Sequence, residues 1–241
     1  MHFWVGSFCG ILDGSRSKLA FPREVIAGAD IISLIEDEGN KIPDKSWMLY
    51  LLELFTNQNN IAIELNLICQ FDNQNYFEAI FNGVNRYRFK EILPILGHSY
   101  LRLIIMNLQK KCVSYILEDT KTKQTERFDL FMNTIGGVVL HEASNLFTGI
   151  EWWNRIGNYP YPIRYKVEVA QLACGLSDRS SDPESITYYP INALIPNSEG
   201  SNVLYPVSFY NPRIESGCIC YGVTSGNCKN GMEYPPTPTI N

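Results

Sequence analysis

One stretch of the chain brings a carboxylate and large rings together: Phe147-Thr148-Gly149-Ile150-Glu151-Trp152-Trp153-Asn154. It is entered through Thr-Gly and left through Asn154-Arg155-Ile156-Gly157-Asn158, the composition of a strand end that faces a ligand. Indole rings supply a flat apolar platform, and their bulk shields a neighbouring carboxyl group and favours its protonated form. The chemistry this suits is general acid or base work by Glu151, with Trp152 and Trp153 as binding surface. Tyr159-Pro160-Tyr161-Pro162 follows closely and Tyr188-Tyr189-Pro190 lies further on, so Tyr159 and Tyr161 are expected to add rings to the rim. The competing reading is a core Trp pair with a salt-bridged Glu, and Tyr-Pro pairs that anchor loops.

A second polar group falls on alternate positions of the run Ile61 to Phe71. Glu64, Asn66 and Gln70 share one face, opposite Ile61, Ile63, Leu65, Leu67, Cys69 and Phe71, because successive strand residues point to opposite sides. Glu64 paired with Glu151 would resemble the two-carboxylate arrangement of glycoside hydrolysis, and Glu78, in the run Tyr76 to Phe81, is a further candidate contact for a substrate. Arg164, Lys166 and Glu168 also share a face, opposite Ile163, Tyr165, Val167 and Val169, and read as a solvated row.

Other chemistries find no support. Gly-x-Ser-x-Gly is absent, His98 follows Gly97 in an expected turn, and His141-Glu142 lacks the second His of the zincin pattern. Gly136-Gly137 is no phosphate loop, so no nucleotide cofactor is expected. The 7 Cys form no regular framework. Cys218-Ile219-Cys220 followed by Cys228 lacks the second Cys or His pair of a structural zinc site, so no metal is expected. Residues 218 to 228 read as a loop, and as the place where a disulfide would be built.

Strands must position these side chains. The chain has 241 residues, of which 45% are hydrophobic, 12% aromatic and only 19% charged. Long surface helices need more Glu, Lys and Arg than that. Period-two runs dominate from residue 47 onward: Trp47 to Phe55 and Ile61 to Phe71 read as a hairpin around Thr56-Asn57-Gln58-Asn59-Asn60, and Asn82-Gly83 is the strongest short hairpin signal. Short strands then recur about every ten residues to Tyr210. The expected fold is all-β: a single antiparallel β-sandwich, jelly-roll or concanavalin-like, with at most one short helix at Pro22 to Glu36, where Ile26, Ile31, Leu34 and Ile35 recur near helical spacing. Residues 1–233 are expected to form this domain and 234–241 a Pro-rich tail.

The formal net charge of -5 without Lys/Arg clusters argues against nucleic acid or a membrane surface as partner. Residues 2–12 are apolar but lack a basic start and a small-x-small cleavage site, so no signal peptide is expected; no apolar run is long enough for a membrane helix.

Four segments carry a resemblance: Tyr76-Phe77-Glu78-Ala79-Ile80-Phe81, Val113 to Thr120, Glu151-Trp152 and Pro206 to Phe209. Over roughly residues 60 to 210 the chain resembles the glutamic peptidases, the eqolisin type, which have a concanavalin-like two-sheet sandwich. The resemblance implies that Glu151 is a general base toward water and that a Gln on a facing strand stabilises the oxyanion. Here Glu64 falls where that Gln would be, and Gln70 is six residues further on. A carboxyl group donates to an oxyanion only when protonated. Three functions stand open: a sandwich that binds a glycan, peptide or protein on an aromatic and polar concave face; a hydrolase using Glu151 with Glu64 or Gln70; and a structural or assembly subunit. The oligomeric state is not fixed by the sequence.

Overall fold

The computed structural model describes residues 2–10, 25–56, 61–134, 143–154, 160–176, 189–191, 204–215 and 218–229. Its strands are β1 (His2–Gly10), β2 (Val25–Asp37), β3 (Ser46–Thr56), β4 (Ala62–Gln70), β5 (Asn75–Phe81), β6 (Asn85–Arg88) and β7 (Ser99–Asn107), followed by β8 (Cys112–Asp119), β9 (Thr125–Phe131), β10 (Ala143–Asn154), β11 (Tyr165–Leu176), β12 (Tyr189–Ile191), β13 (Leu204–Glu215) and β14 (Cys218–Lys229). They form two seven-stranded sheets, a front sheet in the order β12-β1-β10-β3-β4-β5-β6 and a back sheet in the order β13-β14-β11-β2-β7-β8-β9. Every neighbouring pair is antiparallel. The expected two-sheet sandwich is the observed fold.

Alternation explains the layering. Met48, Tyr50, Leu52 and Leu54 of β3 and Ile63, Leu65, Leu67 and Cys69 of β4 lie in the interior, with Tyr100, Ile104 and Met106 of β7 and Val113, Tyr115 and Leu117 of β8 facing them. Hydroxyl groups tie the layers together. Tyr50 donates to the Tyr165 carbonyl at 2.8 Å and accepts from the Tyr165 N–H at 2.7 Å. Tyr115 donates to the Ile80 carbonyl, and Thr148 pairs with Tyr221 at 2.6 Å. Gly28 lies where the tips of Leu146 and Leu54 would meet any Cβ, at 2.7 and 2.8 Å. At the β5–β6 hairpin, Asn82 and Gly83 both take the left-handed φ that such a turn needs, 50° and 70°.

Several expectations are corrected. Residues 25–37 form β2 rather than a helix. This strand is paired along both edges, to β11 and β7, and its β-branched residues suit that setting; Ile32 and Leu34 face the interior while Ile31 and Ile35 face out. Residues 218–229 are β14 rather than a loop, and Cys220 is a buried free thiol, so it forms no bridge. Phe71, expected inside, is half exposed in a 3-10 turn at Phe71–Asn73. Tyr159, Tyr188 and the expected tail lie outside the described residues.

Candidate acidic cleft

Because the interior takes the even positions of β3 and the odd positions of β4, the opposite set reaches the outer face of the front sheet. Trp47, Leu49, Leu51 and Glu53 of β3 therefore share that face with Glu64, Asn66, Ile68 and Gln70 of β4. On β10 the same parity sends Glu151 and Trp153 outward. Register sets them in rows. Trp153 faces Trp47, which faces Gln70; Glu151 faces Leu49, which faces Ile68; Phe147 faces Glu53, which faces Glu64. A cleft of about 720 Å³ crosses these strands, lined by Glu53, Glu64, Glu151, Gln70, Trp47 and Trp153, with Leu49, Ile68 and Ile80 as its apolar floor and Gly83 and Arg86 at the β6 end.

Three carboxyl groups in one cleft over an apolar floor cannot all ionise at ordinary cost. Glu53 takes the consequence. Burial, then the charge of Glu64 directly across the ladder, then that of Glu151, hold its pKa well above the ordinary 4.5. Leu49, Leu51, Ile68, Tyr76, Ile80 and Phe147 form an apolar cluster on this face. Across the ladder, Asn66 Nδ2 donates to Glu64 Oε2 at 2.7 Å. Among the described residues no three His, Cys, Asp or Glu side chains are arranged to hold a metal ion.

The structure sorts the residues picked from the sequence. Glu64, Gln70, Glu151 and Trp153 line the cleft. Gln70 is engaged there, its amide donating to the Tyr76 hydroxyl at 2.7 Å. Trp153 is 39% exposed, its ring centroid 5.1 Å from that of Trp47 at a tilt of 58°. Trp152 does not join it. Adjacent strand residues point to opposite faces, so Trp152 is fully buried in the core, with its indole N–H donating to the Tyr161 carbonyl at 2.7 Å, and Tyr161 is buried beside it. Asn66 is also fully buried and acts through Glu64, and Glu78 is buried and paired with Arg86 at 2.9 Å. Neither of these two offers itself directly to a ligand. Glu53, Trp47 and Arg86 escape the sequence reading. The hairpin carried the signal for Glu53: the pairing of β3 with β4 sets Glu53 opposite Glu64, on the same face.

These features define a two-sheet β-sandwich with an acidic, aromatic-rimmed cleft on the outer face of one sheet. No family model matches the chain, and no curated protein does. Among solved structures, scytalido-glutamic peptidase with a transition state analog inhibitor superposes with a TM-score of 0.52 at 9% identity, over 92% of this chain and 98% of that one. The same peptidase with a peptide based transition state analog gives 0.50 at 9%, with the same coverage. The chain has the sandwich fold of these glutamic peptidases, as the sequence resemblance implied.

Proposed function

We propose that the chain is a hydrolase of peptide bonds that works at acidic pH, with Glu151 as general base, protonated Glu53 as the acid, and Glu64 as the charge that keeps the proton on Glu53. The observation that carries this reading is the placement of Glu53 directly opposite Glu64 in one cleft with Glu151, which together with burial raises the Glu53 pKa and favours its protonated form. Glu151 would take a proton from water as that water attacks the carbonyl carbon. Glu53 would donate to the developing oxyanion, the task that an amide does in the family this fold resembles. The intermediate would collapse as Glu151 returns its proton to the leaving nitrogen. Glu53 thus resolves the chemical difficulty of a carboxylate standing where an amide donor is expected.

The test is cleavage of a mixed peptide library between pH 3 and 7, read by mass spectrometry, for the wild type, Glu151→Gln and Glu53→Gln. Each variant is expected to lose about 10²- to 10⁴-fold in rate. Absence of cleavage by the wild type throughout that range would overturn the reading. A second reading, a non-catalytic module that binds a glycan, peptide or protein, has two observations of its own: Gln70 is engaged with Tyr76, and the Trp47–Trp153 pair offers a stacking surface at the rim. It predicts ligand-dependent tryptophan fluorescence that survives Glu151→Gln, with no cleavage.

A further inference from the structure

We infer that Arg102, buried in the sandwich interior beneath the cleft, is a positioning residue for the carboxyl groups above it, acting through a gap it holds open between β3 and β4. The inference rests on the reading of Glu53 and Glu64 as working groups. The β3–β4 ladder pairs Trp47 through Tyr50 with Gln70 through Leu67, and Glu53 through Phe55 with Glu64 through Ala62. Leu51 and Leu52 do not pair across to Asn66 and Leu65 in that ladder. Arg102 reaches into this interval from β7 in the back sheet. Its Nη1 donates to the Tyr50 carbonyl at 2.5 Å and the Leu65 carbonyl at 3.1 Å, and its Nη2 to the Leu51 carbonyl at 3.2 Å. The rest of the fork goes to Asp30, its cross-strand neighbour on β2, through Nε at 2.8 Å and Nη2 at 2.5 Å. All five guanidinium N–H groups are thereby used.

The same gap is bridged from the cleft side by Asn66. Its Oδ1 accepts the Leu52 N–H at 3.3 Å while its Nδ2 donates to Glu64. Arg102 and Asn66 therefore stand in for the missing ladder bonds, one beneath and one above. Closing the gap would return the Leu52 N–H to the ladder and release Asn66 from its place beside Glu64. A buried ion pair is often replaceable by apolar residues at little cost in stability, so the distinctive consequence of this one is the strand spacing it sets.

The double variant Asp30→Leu/Arg102→Met removes both charges and leaves no buried lone charge. Carboxyl-carbon NMR titrations of Glu53 and Glu64, the amide shift of Leu52 and a melting curve are compared with the wild type. The expected result is a folded protein in which the Leu52 amide moves, Glu64 titrates higher for loss of its donor, and Glu53 titrates lower as the charge opposite it weakens. A folded double variant with unmoved midpoints and an unmoved Leu52 amide overturns the inference. Asn66→Ala leaves the interior pair intact and cuts only the link to Glu64; it must reproduce the rise of Glu64, and an unmoved Glu64 overturns the inference even where the double variant does not fold. None of these readouts needs a substrate, so a failure to cleave peptides refutes the hydrolase reading without touching this result.

Discussion

Glu53→Gln should make the protein more stable at neutral pH, and the size of the effect follows from the proton that Glu53 holds. In the folded protein its pKa lies above the ordinary 4.5, owing to burial and then to Glu64 and Glu151, whereas in the unfolded chain it returns to that value. Between the two pKa values the native state binds the extra proton, so stability is full below 4.5 and is lost as pH rises through the window up to the folded pKa. The slope there is at most about 1.4 kcal/mol per pH unit for one proton. For a domain of this size that is about 3 to 5 °C in Tm per pH unit. Glutamine fills nearly the same space and carries no proton to lose. Scanning calorimetry of wild type and variant from pH 4 to 8, in buffers matched for ionic strength, should give a difference in Tm that is flat at the acid end, widens above pH 4.5 in favour of the variant, and levels off where folded Glu53 has titrated. Glu64→Gln should move that levelling point downward by removing the nearest like charge. Two wild-type and Glu53→Gln curves running parallel across the whole range would refute the assignment of the shared proton.

The two neighbouring tryptophans should separate by role: Trp153→Ala should weaken ligand binding in a fluorescence titration with little change in Tm, while Trp152→Ala should cost about 3–5 kcal/mol in chemical denaturation, since Trp152 fills the core and caps the Tyr161 carbonyl. Asp119 has the opposite sign to Glu53. Burial opposes its charge, but the His98 ring nitrogen at 2.8 Å and the Lys121 and Thr122 N–H groups hold its pKa below 3.8. Asp119→Asn should therefore destabilise by about 1–3 kcal/mol at pH 7, a deficit that shrinks as pH is taken below 3.8. Gly222→Ala should lower the Tm by the equivalent of about 1–3 kcal/mol, because a Cβ there would sit 2.1 Å from Tyr210 Cζ and lift the ring that covers the glycine.

The strands were legible where one face is apolar and the other polar. In β4 the inward set Ile63, Leu65, Leu67 and Cys69 is buried as the alternation requires, and the Asn82-Gly83 turn stands where its dipeptide announces it. β2 was not legible, for a physical reason. Its inward positions include Gly28 and Asp30, so the interior face carries a gap and a charge where the period-two rule looks for apolar bulk. Both make sense only across the sandwich, Gly28 against Leu54 and Leu146, and Asp30 against Arg102. A pattern that depends on a partner far along the chain cannot be recovered from its own period.

The cleft shows the same division between local and distant causes. Parity within a strand decides which residues reach the outer face, and it separates Trp153 from Trp152 on sequence alone. Hairpin symmetry then yields Glu53 opposite Glu64. What no local rule supplies is the lateral order β10-β3-β4, which brings Glu151, far along the sequence, to the edge that β4 leaves open on β3. The raised pKa of Glu53 therefore has burial as its first cause, and topology adds to it: β4 supplies the like charge of Glu64 and β10 the weaker one of Glu151. Burial alone would already favour the protonated form of a carboxyl group in the apolar run of β3, and the two like charges add to it, so that Glu53 becomes the place where the cleft keeps its proton.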